Sequence, residues 1–469
     1  MKRNIAHIMK RAAALVLAGC LAIPLTACQS SPAASADPSG GETQAAETLP
    51  AETDMWLKVK AEEFTSSDQL SHTWTYEYND YGQVVKSTSI SAPDVGPDDT
   101  SQEVAYTYTP DQILSESRSI STFVSGLDDS IKTTEQIVHY NEYGFKTAAE
   151  KNVTVDYPAD SSKSDTQSAY EVTYFCDPKG NTRATAEKNL EDNTYTFRVS
   201  GSGSSSNEDA EKTYDGDLLI RMVTDTQAYD YEYDENGNMV KKTITYNYGR
   251  ETEFQEYTLY TYEQRTCKTV PPIDYPSSEE MDVISTAPTF DPSGNFLYVY
   301  NYGYDNLGNQ VGAYAGAADG TFYGDEYNEY NENGQVIRVW TEDMVADMTY
   351  NDQGQRIRED YRMDPDGELL IHSDCEYDES GNLTRMITHA DHPDYSEAEG
   401  RTQNYEYDEN GNLLFCRQFD ASGVLLAYDA YTYTEDGKIS EISTYDGENT
   451  LLYVTRPQYE AISILSKDA

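Results

Sequence analysis

Aromatic and polar residues alternate in short runs along most of this chain. Tyr229, Tyr231 and Tyr233 fall on one side of a two-residue period, and Asp230 and Glu232 on the other. Tyr106/Tyr108, Tyr246/Tyr248, Tyr260/Tyr262 and Tyr431/Tyr433 repeat the pattern. A period of two predicts half-buried antiparallel strands. No stretch after residue 30 carries the 3.6-residue apolar period of an amphipathic helix. The expected fold is therefore all-β.

The runs are closed by a recurring phrase. It stands nearly intact as Tyr231-Glu232-Tyr233-Asp234-Glu235-Asn236-Gly237-Asn238-Met239, and it returns around Gly308, Gly381 and Gly411. Asp or Asn at the first turn position bonds the backbone two residues on. Gly at the fourth supplies the left-handed conformation that closes a type I turn with a bulge. Gly237, Gly308, Gly381 and Gly411 are thus structural turn glycines, expected at positive φ. Neighbouring glycines in the C-terminal half lie mostly 12 to 14 residues apart, one strand and one turn each. The pattern predicts a repetitive antiparallel β-meander of about 20 strands. Its Tyr face has to be covered, either by curling into a barrel or shell or by coiling as a twisted ribbon.

The phrase resembles the YD repeat of the RHS (rearrangement hotspot) family, and the copies at 231–239 and 405–413 resemble it most. The resemblance runs over most of Trp74 to Ile442, regular in 290–442 and degenerate before 220. It implies a long antiparallel sheet that curls or coils into a shell. Family members that deliver toxins end in a cleavage core and a variable toxin. No such domain is recognisable in the 27 residues after Ile442. The reading is a short lipoprotein form of the family.

The N-terminus carries a different signal. Lys2, Arg3, Lys10 and Arg11 precede the apolar stretch Ala12 to Ile23, and Leu25-Thr26-Ala27-Cys28 resembles a bacterial lipobox. Residues 1–27 are read as a lipoprotein signal peptide, with lipid attached at Cys28. A competing lipobox at Leu17-Ala18-Gly19-Cys20 leaves only a short apolar region before it, so Cys28 is preferred over Cys20. Residues 28–54 are rich in Ser, Ala, Pro, Gly, Thr and Glu and are expected to be a flexible polar tether. Residues 55–465 form the β-repeat domain. The expected location is extracytoplasmic, anchored to the bacterial membrane and exposed at the surface.

With 83 acidic against 33 basic residues, the formal net charge is −50. Such a surface repels nucleic acid, which is not an expected partner. Acidic residues at outward strand positions also discourage sheet-to-sheet association. Four cysteines follow Cys28, namely Cys176, Cys267, Cys375 and Cys416. None is spaced for zinc, and their pairing is left open.

Candidate chemistry is thin. Asp-x-Asn-Gly-Asn resembles part of a calcium loop, but the Glu six residues beyond the Gly is missing: Thr243 and Arg417 stand there. Weak calcium binding is the most these turns offer, and no cofactor or metal is expected. His389-Ala390-Asp391-His392 resembles the end of a metallohydrolase motif, but Ile387 replaces its first His, and a polar loop is the expectation. No nucleophile elbow or phosphate loop is present, so the chain is read as non-enzymatic.

The 41 tyrosines serve first as the core of a thin β-layer. Tyr231, Tyr233, Tyr405 and Tyr407 also offer a ligand-stacking face. The long acidic segments Ser91–Gln102, Pro158–Thr166, Ser200–Glu211, Val270–Ala287 and His389–Gln403 are read as loops. The expected function is a binding or scaffold module for a glycan or protein. The alternatives are a β-shell that presents a cargo or toxin encoded elsewhere, or an enzyme with an unrecognised carboxylate site.

Overall fold

In a computed structural model the described residues are 51–92, 98–158, 162–200, 210–224, 226–317, 322–341 and 344–466. The signal segment, both candidate lipid sites Cys28 and Cys20, and nearly all of the tether lie outside them. The described chain is almost wholly antiparallel β. It forms thirty strands, β1 to β30 in chain order, with one short 3-10 helix at Pro393–Ala398.

The strand count exceeds the expected 20, and two segments read as loops are partly strand. β16 (Ser278–Phe290) occupies most of the Val270–Ala287 segment. β4 (Asp99–Tyr108) begins inside Ser91–Gln102. Ser278 to Asp282 is too polar to alternate. It is held as strand by distant pairing with β30 (Gln458–Leu465).

The strands make two fifteen-stranded sheets. The first runs outward in both directions from β1 (Glu52–Phe64), which pairs with β2 (Leu70–Tyr78) and with β15 (Phe254–Lys268). Its edges are β10 (Tyr195–Val199) and β11 (Glu211–Asp215).

The second sheet closes on itself. β17 (Phe296–Tyr304) to β29 (Leu451–Thr455) follow one another as a meander. The C-terminal end of β16 then pairs with both β17 and β29. The result is a closed barrel of fourteen strands, with β30 added along the other half of β16.

Most turns share one chemistry. At Asp234 the backbone N–H groups of Asn236 and Asn238 donate to Oδ1 at 2.9 Å, and the Asn238 side-chain amide donates to Oδ2 at 3.0 Å. Gly237 closes the turn at φ 80°, and the register shifts by one residue beside Tyr233. Gly308, Gly381 and Gly411 have φ of 84°, 87° and 84°. In nine turns the fifth position answers the first, whereas Phe145, Val424 and Thr450 stand there after Asn141, Asp420 and Asp446. Asp is answered by Asn at 177/181, 234/238, 291/295, 305/309, 378/382 and 408/412. Asn is answered by Gln at 79/83, 331/335 and 351/355, its amide donating to the Gln carbonyl. The Gln amide is then available for the next turn along the rim. Gln83 Nε2 reaches Gln112 O at 2.8 Å, and Gln335 Nε2 reaches Gly354 O at 3.1 Å.

A strand tyrosine, in most copies the one just before the turn, has a recurring partner. Its hydroxyl donates to a backbone carbonyl on an earlier strand, usually that of the residue directly after an earlier turn. Tyr108 reaches Val84 O, Tyr262 reaches Met239 O, Tyr350 reaches Val336 O, Tyr407 reaches Leu383 O and Tyr433 reaches Leu413 O, at 2.7–3.1 Å. Eleven such clasps are present among the described residues. Most copies of the phrase are thereby tied to an earlier strand. A fourteen-stranded barrel is also wider than the eight-stranded kind that ordinary side chains fill, so long aromatic side chains suit its inward face.

The inward face of the barrel is buried and unusually polar. Tyr405, Cys416, Asp429 and Thr444 are cross-strand neighbours in one row, all buried. Cys176, Cys267, Cys375 and Cys416 form no disulfide, and three of them are buried.

The two sheets meet at β10. Phe197 is 3% exposed and packs with Ala184, Ala186 and Val311. Its ring lies over a cross-strand glycine pair, Gly303 on β17 and Gly312 on β18 (Gln310–Gly316). A Cβ at Gly303 would come within 2.7 Å of the Phe197 ring. Strand glycines of this kind mark a close approach. The Phe197 N–H donates to Asp325 Oδ2 at 2.7 Å, which caps a backbone group on an edge strand. Tyr195 completes the joint between Trp340 and Tyr327, with ring centroids 4.6 and 5.0 Å away.

Candidate functional site

One rim of the barrel carries a cleft of about 550 Å³. It lies between two neighbouring copies of the turn, Asp378 to Asn382 after β23 (Leu369–Tyr377) and Asp408 to Asn412 after β25 (Thr402–Tyr407). Ser380, Thr384, Tyr407, Glu409 and Asn410 are among its walls, which are mostly polar. Its volume falls in the range of small-ligand sites. The same turns that close the strands therefore build a pocket where two of them stand side by side.

This cleft gathers three of the sequence-derived candidates, Tyr405, Tyr407 and Gly411. Ser380 and Asn382, the neighbours of Gly381, join them. Tyr231 and Tyr233 lie apart, on β13 (Gln227–Tyr233) of the other sheet. Tyr405 is 6% exposed, and its hydroxyl donates to Gln403 Oε1 at 2.7 Å. Tyr407 is half-buried with its hydroxyl on Leu383 O. The cleft thus presents the half-buried Tyr407 together with the exposed side chains of Ser380, Glu409 and Asn410.

The turn carboxylates are occupied. Both Asp408 oxygens accept from donors of their own turn, at 2.8 Å each. The Asn412 side-chain amide, followed by backbone N–H groups, holds the Asp408 carboxyl below its usual range. Asn238 and the backbone do the same for Asp234. These oxygens face turn donors, which is a physical reason for the turns to be poor calcium ligands.

Titratable groups with the opposite shift lie on the inward face of the barrel. Burial pushes the Asp429 carboxyl up to about 6, and the hydrogen bond from Thr444 opposes this only in part. Desolvation likewise raises the half-buried Glu326 to about 7. Arg356 and Glu359 form an ion pair there at 2.9 Å. Elsewhere, His372, Asp374 and His389 place three ligand-type side chains together on β23 and β24 (Leu383–Ala390). Sequence spacing missed this group because its members come from two strands.

No family profile matches the chain, and no curated protein matches it. Among solved structures it is similar to the Tc holotoxin pore of Photorhabdus luminescens, at 12% identity over 82% of this chain and 22% of that one, with a TM-score of 0.21. It is also similar to the TcdB2-TccC3-TEV crystal structure, at 12% identity over 86% and 25%, with a TM-score of 0.21. A porin-like protein from Bacteroides uniformis matches at 10% identity over 71% and 93%, with a TM-score of 0.15. The chain spans about a quarter of the length of those toxin chains. At these TM-scores the likeness carries no argument about this chain.

Proposed function

We propose that this chain is a surface-displayed bacterial lipoprotein that binds a glycan through the barrel rim, without catalysing a reaction on it. The observation that carries the reading is the polar cleft between the turns at Asp378 and Asp408. Hydroxyl, amide and carboxylate groups at Ser380, Asn410 and Glu409 suit the hydroxyls of a sugar, and the Tyr407 ring suits its apolar face. The test is a glycan array probed with the full-length protein and with Glu409→Ala and Asn410→Ala. Both positions are exposed, so the fold survives the change. The expected result is a defined glycan class whose affinity drops about tenfold or more in each variant, one hydrogen bond's worth or more. Absence of any glycan binding, or unchanged binding in both variants, overturns it.

Display at the surface rests on the lipobox and the polar tether. Mass spectrometry of the mature N-terminus is expected to find a diacylated or triacylated Cys28. An unmodified N-terminus at another residue overturns the anchor, and acylation at Cys20 transfers it to the competing site.

A second reading, a shell around a cargo, is favoured by closure of the barrel. It is opposed by the burial of Tyr302, Tyr361 and Tyr405 on the inward face, where side chains take up the space.

A further inference from the structure

We propose that His372, Asp374 and His389 form a binding site for a borderline divalent transition cation of the Zn2+ class. All three project from one face of the β23–β24 pair. His372 and His389 are direct cross-strand partners, and Asp374 stands two residues beyond His372 on the same face. Their ligand atoms all lie within 4.8 Å of one another. Asp374 Oδ2 is 3.6 Å from His389 Nε2 and 4.0 Å from His372 Nε2. Ligand atoms around a tetrahedral zinc stand about 3.3 Å apart, given bonds of about 2.0–2.2 Å. Small side-chain rotations bring the three together.

The outer side of each imidazole is also arranged for ligation. His372 Nδ1 lies 2.6 Å from Asp391 Oδ2, and His389 Nδ1 lies 3.4 Å from Glu399 Oε1. Both Nε2 atoms are left toward Asp374. A carboxylate behind each imidazole fixes its tautomer and raises its basicity, the usual outer shell of a histidine metal ligand.

Both carboxylates come from the segment that follows β24, and that segment is pinned. Asp391 N–H and His392 N–H donate to Leu370 O at 3.0 Å each, and Glu399 Oε2 accepts from Ala390 N at 2.8 Å. His392, the last member of the sequence motif, is not part of the group. Its Nδ1 accepts from Asp394 N, and its Nε2 faces Glu368 at 3.9 Å.

The surroundings leave Asp374 to the histidines. Its cross-strand partner is Arg358, whose Nε instead bonds Asp360 at 2.7 Å. The two imidazoles are stacked, 4.8 Å apart and 26° from parallel. Convergence on one ion therefore needs one ring to turn. His389 is the one suited to do so, since it is the more exposed and has the longer carboxylate contact. Two imidazoles and one carboxylate favour zinc, nickel or copper over calcium, which takes oxygen ligands. Three protein ligands leave a position for water or for an anionic group of a bound partner.

The test is calorimetric titration of the full-length protein with Zn2+ in excess Ca2+ and Mg2+, which saturate diffuse acidic sites. The expected result is one Zn2+ per chain, with affinity lowered at least about tenfold in His372→Ala and in His389→Ala. Asp391→Asn tests a positioning residue, and a smaller loss is expected there, at the low end of about 10–100-fold. A readout on the unaltered chain guards against misfolded variants. Zn2+ is expected to protect His372 and His389, but not His72 or His139, from diethyl pyrocarbonate, as read by mass spectrometry. Absence of stoichiometric binding, unchanged affinity in both histidine variants, or equal modification of all histidines overturns the proposal.

Discussion

Glycine does two different jobs in this chain, and the two separate cleanly by substitution. Gly411 sits at φ 84° with nothing within 4 Å of a built Cβ, so its constraint is backbone conformation alone. Alanine there is expected to cost about 1 kcal/mol. Gly312 has no such constraint, but its Cβ would stand 2.4 Å from the Glu326 carbonyl and 3.0 Å from the Phe197 ring. Neither a strand backbone nor a buried ring gives way easily, so Gly312→Ala is expected to cost about 1–3 kcal/mol. Denaturant melts of both variants check the order. A smaller loss at Gly312 than at Gly411 would mean that the Glu326 carbonyl and the Phe197 ring do not crowd Gly312 as described. The turn residues were readable from sequence because a turn is decided within five positions. The Asp–Asn and Asn–Gln pairings are local too, though their regularity is recognised only once the amide contacts are seen.

At the scale of elements, strand β10 joins the two sheets through few residues. Phe197→Ala removes a fully packed ring and is expected to cost about 3–5 kcal/mol. In a repeat array the damage stays near its neighbours. Hydrogen exchange is therefore expected to accelerate in β9 (Thr182–Asn189), β10, β17 and β18, while the row from Tyr405 to Thr444 keeps its protection. Uniform acceleration across the barrel would show that closure makes it one cooperative unit. Alternation identified the strands rich in Tyr, such as β13 and β25. It failed for the start of β16, where Ser278-Glu279-Glu280 carries no period. That strand exists because β30 lies beside it, and such pairing partners are not encoded locally.

For the whole molecule, two populations of carboxylates set opposite pH dependences. The turn aspartates have depressed pKa values, so their contribution is present above the ordinary carboxylate range and is lost as pH falls below it. Asp429 is 3% exposed, and its pKa is raised to about 6. Its contribution is complete below about pH 4 and is lost as pH climbs through 6. Glu326 acts in the same sense up to about 7. Stability is expected to decline between pH 4 and 8, and Asp429→Asn is expected to flatten that decline. At or below about pH 4 the variant should melt close to the parent. At pH 8 it should be more stable, by on the order of 2–3 kcal/mol. Parallel melting curves for parent and variant across this range would contradict the buried, raised carboxyl.

The sequence by itself determined the all-β class, the antiparallel meander and the turn positions, because the two-residue period and the Asp-x-x-Gly phrase act over a few neighbouring residues. It did not determine closure. Thr289 meets Thr455 across 166 residues of chain, a pairing that depends on the summed twist and register of all the strands between. The same is true of Phe197 over Gly303 and Gly312, and of the rim cleft between two turns. The histidine group depends on it as well, since a one-residue slip of β23 against β24 would put His372 and His389 on opposite faces. Local chemistry wrote the strands and turns, and only the accumulated register of the folded sheets decided which side chains meet.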